Sequence, residues 1–393
     1  MPMRKIMIAA LLLLAAPGLA GAAEAPLPGR KPEIMAPAPV LPPAENLPPA
    51  PEAAALPAAT YFPILPYEAG DETPPQLLPV ASNHPLEGAH PGIARAVIVI
   101  HDETRNAAGA LGLITTLAGR SNPETLVLAP QFLLATDIAR FAGHLPDEGR
   151  NIARWGLGGW EDGGDSINPA QKRGISSFTA IDLLLIYLAQ KSFFPDLQTI
   201  TVTGHGAGGD FVLRYAAAGQ APDILETQNI PVRFVPANPS SYLYFTAARP
   251  VAGKPNFAPP RAEACPGYNA WKYGISNLNA YARRRGGSAI RLDYPMRRVT
   301  YLAGKQATGG LRETDNSCAA LLQGSDRLAR AQNYARYIET IFGEDAARRQ
   351  FFAVITEAGF DAGEVYASSC GASVLFGAGE ACGPQPVRGA EIP

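Results

Sequence analysis

Leu197-Gln198-Thr199-Ile200-Thr201-Val202-Thr203-Gly204-His205-Gly206-Ala207-Gly208-Gly209-Asp210-Phe211-Val212-Leu213-Arg214-Tyr215 is the stretch whose reading decides the fold. Leu197 to Thr203 is apolar and β-branched, which suits a strand buried on both faces. Four glycines then crowd into six residues, and an apolar helical pattern follows through Phe211, Leu213, Tyr215 and Ala218. A strand, a sharp turn and a helix are thus predicted in immediate succession. The crest of the turn falls on Gly206, which carries no side chain.

Similar strand-like runs recur at Ala96–Ile100, Thr125–Ala129, Val232–Val235, Val299–Leu302 and Phe351–Ile355. Helical patterns lie between them, notably over 178–190, 211–218 and 327–341. This alternation predicts an α/β fold with a mostly parallel sheet covered by helices on both faces. Ligands in such sheets bind beyond the carboxyl ends of the strands. The segments expected there are His101–Asn106, the Gly204 turn, Asn238–Tyr242 and Gly304–Ala307.

Outward from this core the chain divides into three. Arg4 and Lys5, an apolar run from Ile6 to Ala16 and small residues at Ala20-Gly21-Ala22 read as a secretory signal peptide over 1–22. Residues 23–88 are crowded with Pro and Ala and read as an extended linker, although Tyr61-Phe62-Pro63-Ile64-Leu65 is apolar enough to pack on a domain instead. Residues 89–393 are taken as the folded domain. Within it, 249–293 is rich in Pro, Gly, Tyr and Asn without periodicity, and reads as an excursion over the sheet.

With 33 basic and 35 acidic side chains and no long run of one sign, nothing points to nucleic acid. No segment after the signal peptide is long and apolar enough for a transmembrane anchor. Four cysteines in a chain read as exported, periplasmic or secreted, suit two disulfides. Cys265–Cys318 and Cys370–Cys382 are the expected pairs, among the three connectivities that four cysteines permit.

The chain resembles the exported α/β-hydrolase-fold, esterase-like family. The resemblance runs through His101–Asn106, Gln131-Phe132, Ser176-Ser177-Phe178, Gly204–Tyr215, Asn238-Pro239-Ser240-Ser241-Tyr242, Trp271-Lys272-Tyr273-Gly274 and Ser317-Cys318-Ala319-Ala320 to Phe376. It covers nearly everything after residue 90 and implies the α/β-hydrolase fold. It also implies a catalytic serine, acid and histidine. The family's Gly-His-Ser-Ala-Gly-Gly stands here with Gly206 for the serine, Ala307 falls at the acid position, and Phe360 falls where a Gly-His-Asp step would supply the base. The oxyanion segment, His-Gly in the family, is His101-Asp102-Glu103.

Chain order gives an independent argument. In this fold the nucleophile, acid and histidine follow one another along the chain. The histidines are His84, His90, His101, His144 and His205, so none lies beyond the turn. The expectation is a pseudoenzyme that binds an unknown small molecule or protein. His101, Asp102, His205, Gly206 and Ala207 are its candidate ligand-binding residues, with no cofactor and no metal. Asp102 and Glu103 either set negative charge at the oxyanion position or point into solvent.

Three other readings compete. An active hydrolase with relocated machinery would use Ser176, Ser177, Ser240 or Ser241 with His101 or His205. Gly204-x-Gly206-x-x-Gly209 also matches the dinucleotide-binding fingerprint, although Phe234–Asn238 offers no acidic residue for a ribose. The last reading gathers Asp102, Glu103, Glu357 and Asp361 as oxygen ligands of a hard cation. Trp155, Trp160, Tyr242, Tyr244 and Trp271 are candidates for an aromatic pocket or for ordinary packing.

Overall fold

All six expected runs become strands, and two more precede them. The computed structural model describes residues 59–65, 75–119, 122–168, 173–307, 315–347, 349–377 and 382. The signal-peptide reading over 1–22 lies outside these residues, as does most of the linker. The strands are β1 (Thr60–Ile64), β2 (Gln76–Ser82), β3 (Arg95–Ile100), β4 (Thr125–Pro130), β5 (Thr199–His205), β6 (Val232–Ala237), β7 (Arg298–Gly304) and β8 (Gln350–Ile355). They form one sheet in the order β1-β2-β4-β3-β5-β6-β7-β8. β2 runs antiparallel to both neighbours, and every pair from β4 to β8 is parallel.

The linker boundary at residue 88 is therefore corrected: the sheet already begins at Thr60. Phe62 and Ile64 bury their side chains, and Phe62 pairs with Leu78. Pro63 is tolerated because β1 is an edge strand, where a missing N–H leaves no ladder bond broken on the open side. Pro79 lies in β2 just before its pairing with β4, which covers only Val80–Ser82.

Alternate residues of the parallel strands face opposite cores. Ala96, Ile98 and Ile100 of β3 enter one apolar cluster, and Val97 and Val99 enter the other. The first cluster is roofed by α2 (Ser177–Leu188), α3 (Ala207–Ala218) and α4 (Arg327–Ala347). The second is covered by α1 (Ala107–Ala118), α5 (Ala362–Ala367) and α6 (Ser369–Phe376). Helix starts are set by side-chain caps: Asn106, Ser176, Asp361 and Ser368 each accept a backbone N–H of the first turn.

The disulfides join Cys265 to Cys318 and Cys370 to Cys382, as expected. The first ties the 249–293 excursion to the segment ahead of α4. The second holds Cys382 to α6. Trp155, Trp160, Tyr242 and Tyr244 are buried in the main cluster, so they are packing and not pocket walls. Trp271 is partly buried against that cluster, and its indole N–H donates to the Asp162 carbonyl at 2.8 Å.

Candidate functional site

The turn between β5 and α3 sits at the carboxyl end of the parallel strands, with Gly206 at its crest. Its backbone lies at φ +57°, ψ −119°, a conformation that side-chain-bearing residues adopt only under strain. Helix α3 comes close enough to the sheet that a Cβ on Gly208 would lie 2.3 Å from the Ile100 carbonyl oxygen, and one on Gly209 2.4 Å from that of Ala237. Here Gly208 and Gly209 serve helix-to-strand contact. With Gly204–Gly209 on the fifth strand and no acidic residue ending β6, a dinucleotide reading has no support.

Two loops converge over the crest. A Cβ on Gly206 would meet Glu103 Oε2 at 3.1 Å, Phe360 Cζ at 3.3 Å and Asp102 Cβ at 3.8 Å. Phe360 arrives from the loop after β8; its ring packs on His205, with centroids 4.6 Å apart. The Arg327 guanidinium lies 4.2 Å from the same ring. Ala307 is buried in the loop after β7 and bonds through its N–H to Gly304 O at 3.2 Å. That loop is tied to the Phe360 loop by Lys305 N–H to Ile355 O and Gln306 N–H to Ala358 O. Positions 206 and 360 thus face each other, and 307 sits on the adjoining loop.

Glu103 and Asp102 part company. The Asp102 carboxylate accepts from Thr104 N at 2.9 Å and from the Thr104 hydroxyl, closing its own turn. Glu103 reaches over the elbow, its Oε2 3.1 Å from the place of a Gly206 Cβ, where the backbone amides of Glu103 itself and of Ala207 act to lower its pKa. Burial raises its pKa, against the pull of those amides and of Arg327. Of the two carboxylates, Glu103 alone has an oxygen over the crest of the turn.

Both candidate histidines are spoken for. His101 is buried, its Nδ1 donates to Asp102 O at 2.8 Å, and its Nε2 accepts the Phe132 N–H at 3.0 Å. His205 Nε2 accepts from the Asn238 side-chain amide at 3.2 Å. Burial lowers both pKa values to about 4, and for His205 the charge of Arg327 adds to the effect. Between pH 6.5 and 4 the unfolded chain therefore takes up protons that these two rings refuse. Their contribution to stability is complete above pH 6.5 and is lost as pH falls toward 4. Ring C–H resonances of the protein's five histidines, followed by NMR, are expected to show His101 and His205 unprotonated at pH 5. A normal midpoint for either would contradict this placement.

The serines of the relocated-machinery reading are all buried and committed elsewhere. Ser176 caps α2 and donates to Gly163 O at 2.8 Å, and Ser177 donates to Trp160 O at 2.7 Å. Ser240 Oγ donates to Asp210 at 2.5 Å, and Ser241 Oγ accepts from Arg214 at 2.8 Å. The gathered-carboxylate reading is not met either. Glu357 lies at the surface and Asp361 caps α5. Among the described residues no cluster of three His, Cys, Asp or Glu forms a metal site.

Two features escaped the sequence reading. Asn238, at the end of β6, joins the elbow to the loops after β7 and β8. Its Oδ1 accepts the Gly304 N–H at 2.8 Å, and its Nδ2 faces both His205 and the Gly359 carbonyl at 3.2 Å. Its φ of +45° after a strand end is one that asparagine tolerates better than most residues, the one hint available from residue type. The second is a cavity of about 160 Å³ beside the elbow, between α1 and α5. His101, Asp102 and His205 line it together with Leu113, Ala362 and Tyr366. Gly206 and Ala207 are not among its walls; they lie under Glu103 and Phe360.

Strand order, the antiparallel second strand and the turn after the fifth define an α/β-hydrolase-fold protein. No protein-family model matches the sequence, and no curated protein matches it. Among solved structures, the chain is similar to LpqC, a poly(3-hydroxybutyrate) depolymerase from Bordetella parapertussis, at 20% identity over 81% of this chain and 90% of that one, with a TM-score of 0.48. It is similar to poly(aspartic acid) hydrolase-1 from Sphingomonas sp. KT-1 at 18% identity over 81% and 98%, TM-score 0.49. An S-formylglutathione hydrolase from Agrobacterium tumefaciens aligns at 13% identity over 78% and 96%, TM-score 0.40.

Proposed function

We propose that this is a catalytically silent α/β-hydrolase-fold protein, exported to the periplasm or beyond, that uses the hydrolase framework to bind a small molecule or a protein. One observation carries the reading. Gly206, read as the nucleophile position of the elbow, has the hydrocarbon ring of Phe360 3.3 Å from the place its Cβ would take. Nucleophile and base are thereby both replaced by groups that cannot transfer a proton, and Ala307 supplies no acid. Loss of nucleophile or base alone costs on the order of a millionfold in turnover. The binding half of the proposal draws on the cavity lined by His101, Asp102 and His205 together with the apolar Val99, Ile100 and Leu113. Export draws on the signal-like N-terminus and on two disulfides, which fit an oxidising compartment.

Purified protein treated with a fluorophosphonate probe is expected to remain unlabelled, and to release no p-nitrophenol from short esters above the buffer rate. Stoichiometric labelling abolished by Ser240→Ala or Ser176→Ala would overturn the proposal in favour of relocated machinery.

A further inference from the structure

At the head of α3, the place where a substrate's oxyanion would lie in an active relative is filled from within. Glu103 projects from the loop after β3, and its Oε2 lies 3.1 Å from the point a Gly206 Cβ would occupy. From that place the backbone amides of Glu103 itself and of Ala207, one residue past the crest, act on the carboxylate and pull its pKa down against burial. These are the two donor positions of an oxyanion hole in this fold: the residue after the nucleophile, and the loop after the third strand. Arg327 adds a positive charge facing Glu103. Asp102, the neighbouring acid, is turned away into its bond with Thr104.

We infer that Glu103 is an internal ligand of the elbow, its carboxylate occupying the oxyanion seat in place of an external carboxylate or acyl group. The inference rests on reading Gly206 as a vacated nucleophile position, and adds to it the class of ligand the seat takes and the contact that closes it. Backbone amides at a helix N-terminus favour an anion with planar acceptor oxygens, and a carboxylate provides both. A side chain carried by the same residue as one of the donors competes at an effective concentration of roughly millimolar or above, which dilute external anions do not match. Removal of the side chain leaves the same donors facing Arg327 with their acceptor gone.

The test is a thermal-unfolding titration of the full chain with sodium acetate, at ionic strength held constant with sodium chloride. Glu103→Ala is expected to gain about 2 °C or more as acetate rises to about 100 mM. Wild type is expected not to respond, and neither is Glu103→Gln, whose side chain still fills the seat. An equal response of wild type and Glu103→Ala, or none from Glu103→Ala, would overturn the inference. Should Glu103→Ala not fold, a crystal structure of the wild type decides: a carboxylate bonded to the Ala207 N–H upholds the inference, and one turned to solvent overturns it. Failure of the silent-enzyme reading is recognised separately. A wild type that labels with fluorophosphonate while only Glu103→Ala answers to acetate would remove that reading and keep Glu103 as occupant. An unlabelled wild type whose Glu103→Ala variant ignores acetate would do the reverse.

Discussion

Gly206→Ser, Ala307→Asp and Phe360→His introduced together are expected to yield almost no esterase while Glu103 remains, and to gain about 100-fold or more in p-nitrophenyl acetate turnover once Glu103→Gly is added. The geometry at the crest sets both halves of this result. A serine Cβ at position 206 would lie 3.3 Å from the Phe360 ring, so a histidine there is within reach of the hydroxyl. The same Cβ would lie 3.1 Å from Glu103 Oε2, a carboxylate sitting where negative charge has to develop. Holding that carboxylate in place costs the rebuilt enzyme its oxyanion donors, which are commonly worth 10²–10³, roughly, in turnover. Serine at φ +57° adds strain of about 1–3 kcal/mol, so the rebuilt chain is expected to melt below wild type. Equal activity with and without Glu103 would show that its carboxylate does not obstruct the site.

The second large effect concerns the support beneath the elbow. Asp210→Ala is expected to destabilise the domain by about 3–5 kcal/mol, seen as a fall in Tm of about 10 °C. Asp210 sits one turn into α3 and is almost wholly buried, with Arg214 one turn further on at 2.8 Å. Its carboxylate also accepts the N–H groups of Ser240 and Ser241, at 3.0 and 3.1 Å, and the Ser240 hydroxyl. Arg214 passes the connection on to the Ser241 hydroxyl and to the Lys272 carbonyl. Burial by itself would raise the Asp210 carboxyl, but Arg214 and Lys272 outweigh it and hold the pKa below its usual value. Alanine at 210 leaves a guanidinium buried without its counter-charge, which is the costly half of breaking such a pair. Asp210→Ala with Arg214→Met is therefore expected to lose less than the two single changes summed. Strict additivity in a double-mutant cycle would contradict a coupled pair.

Much of the fold was legible because the signals that carry it are local. Thr199–Thr203 and the other β-branched runs announce strands through composition and period, and Gly204–Gly209 announces the turn. β1 and β2 escaped because Pro63 and Pro79 made their neighbourhood read as polyproline. Nothing local shows that β1 lies at an edge, where proline breaks no ladder on its open side. Asp210 and Arg214 are visible in sequence only as an i, i+4 pair that would ordinarily face solvent. The loops of residues 240–241 and 272 close over them and turn that surface pair into a buried one.

The sequence by itself determined what Gly206, Ala307 and Phe360 cannot do. Identity at a position is a covalent fact, so Gly206, Ala307 and Phe360 carry no nucleophile, acid or base whatever the fold does, and no histidine follows His205. It left open whether Asp102 and Glu103 face the elbow or water, because a side chain's direction in a loop depends on what packs against it. Only the tertiary structure decided that. Strand order 4-3-5 brings residue 103 beside residue 206, the parallel placement of β6, β7 and β8 brings residue 360 to the same crest, and Asn238 ties His205 to the loops after β7 and β8. Contacts between residues a hundred or more positions apart are set by topology, and through them Glu103 Oε2 comes to 3.1 Å from the place a Gly206 Cβ would take.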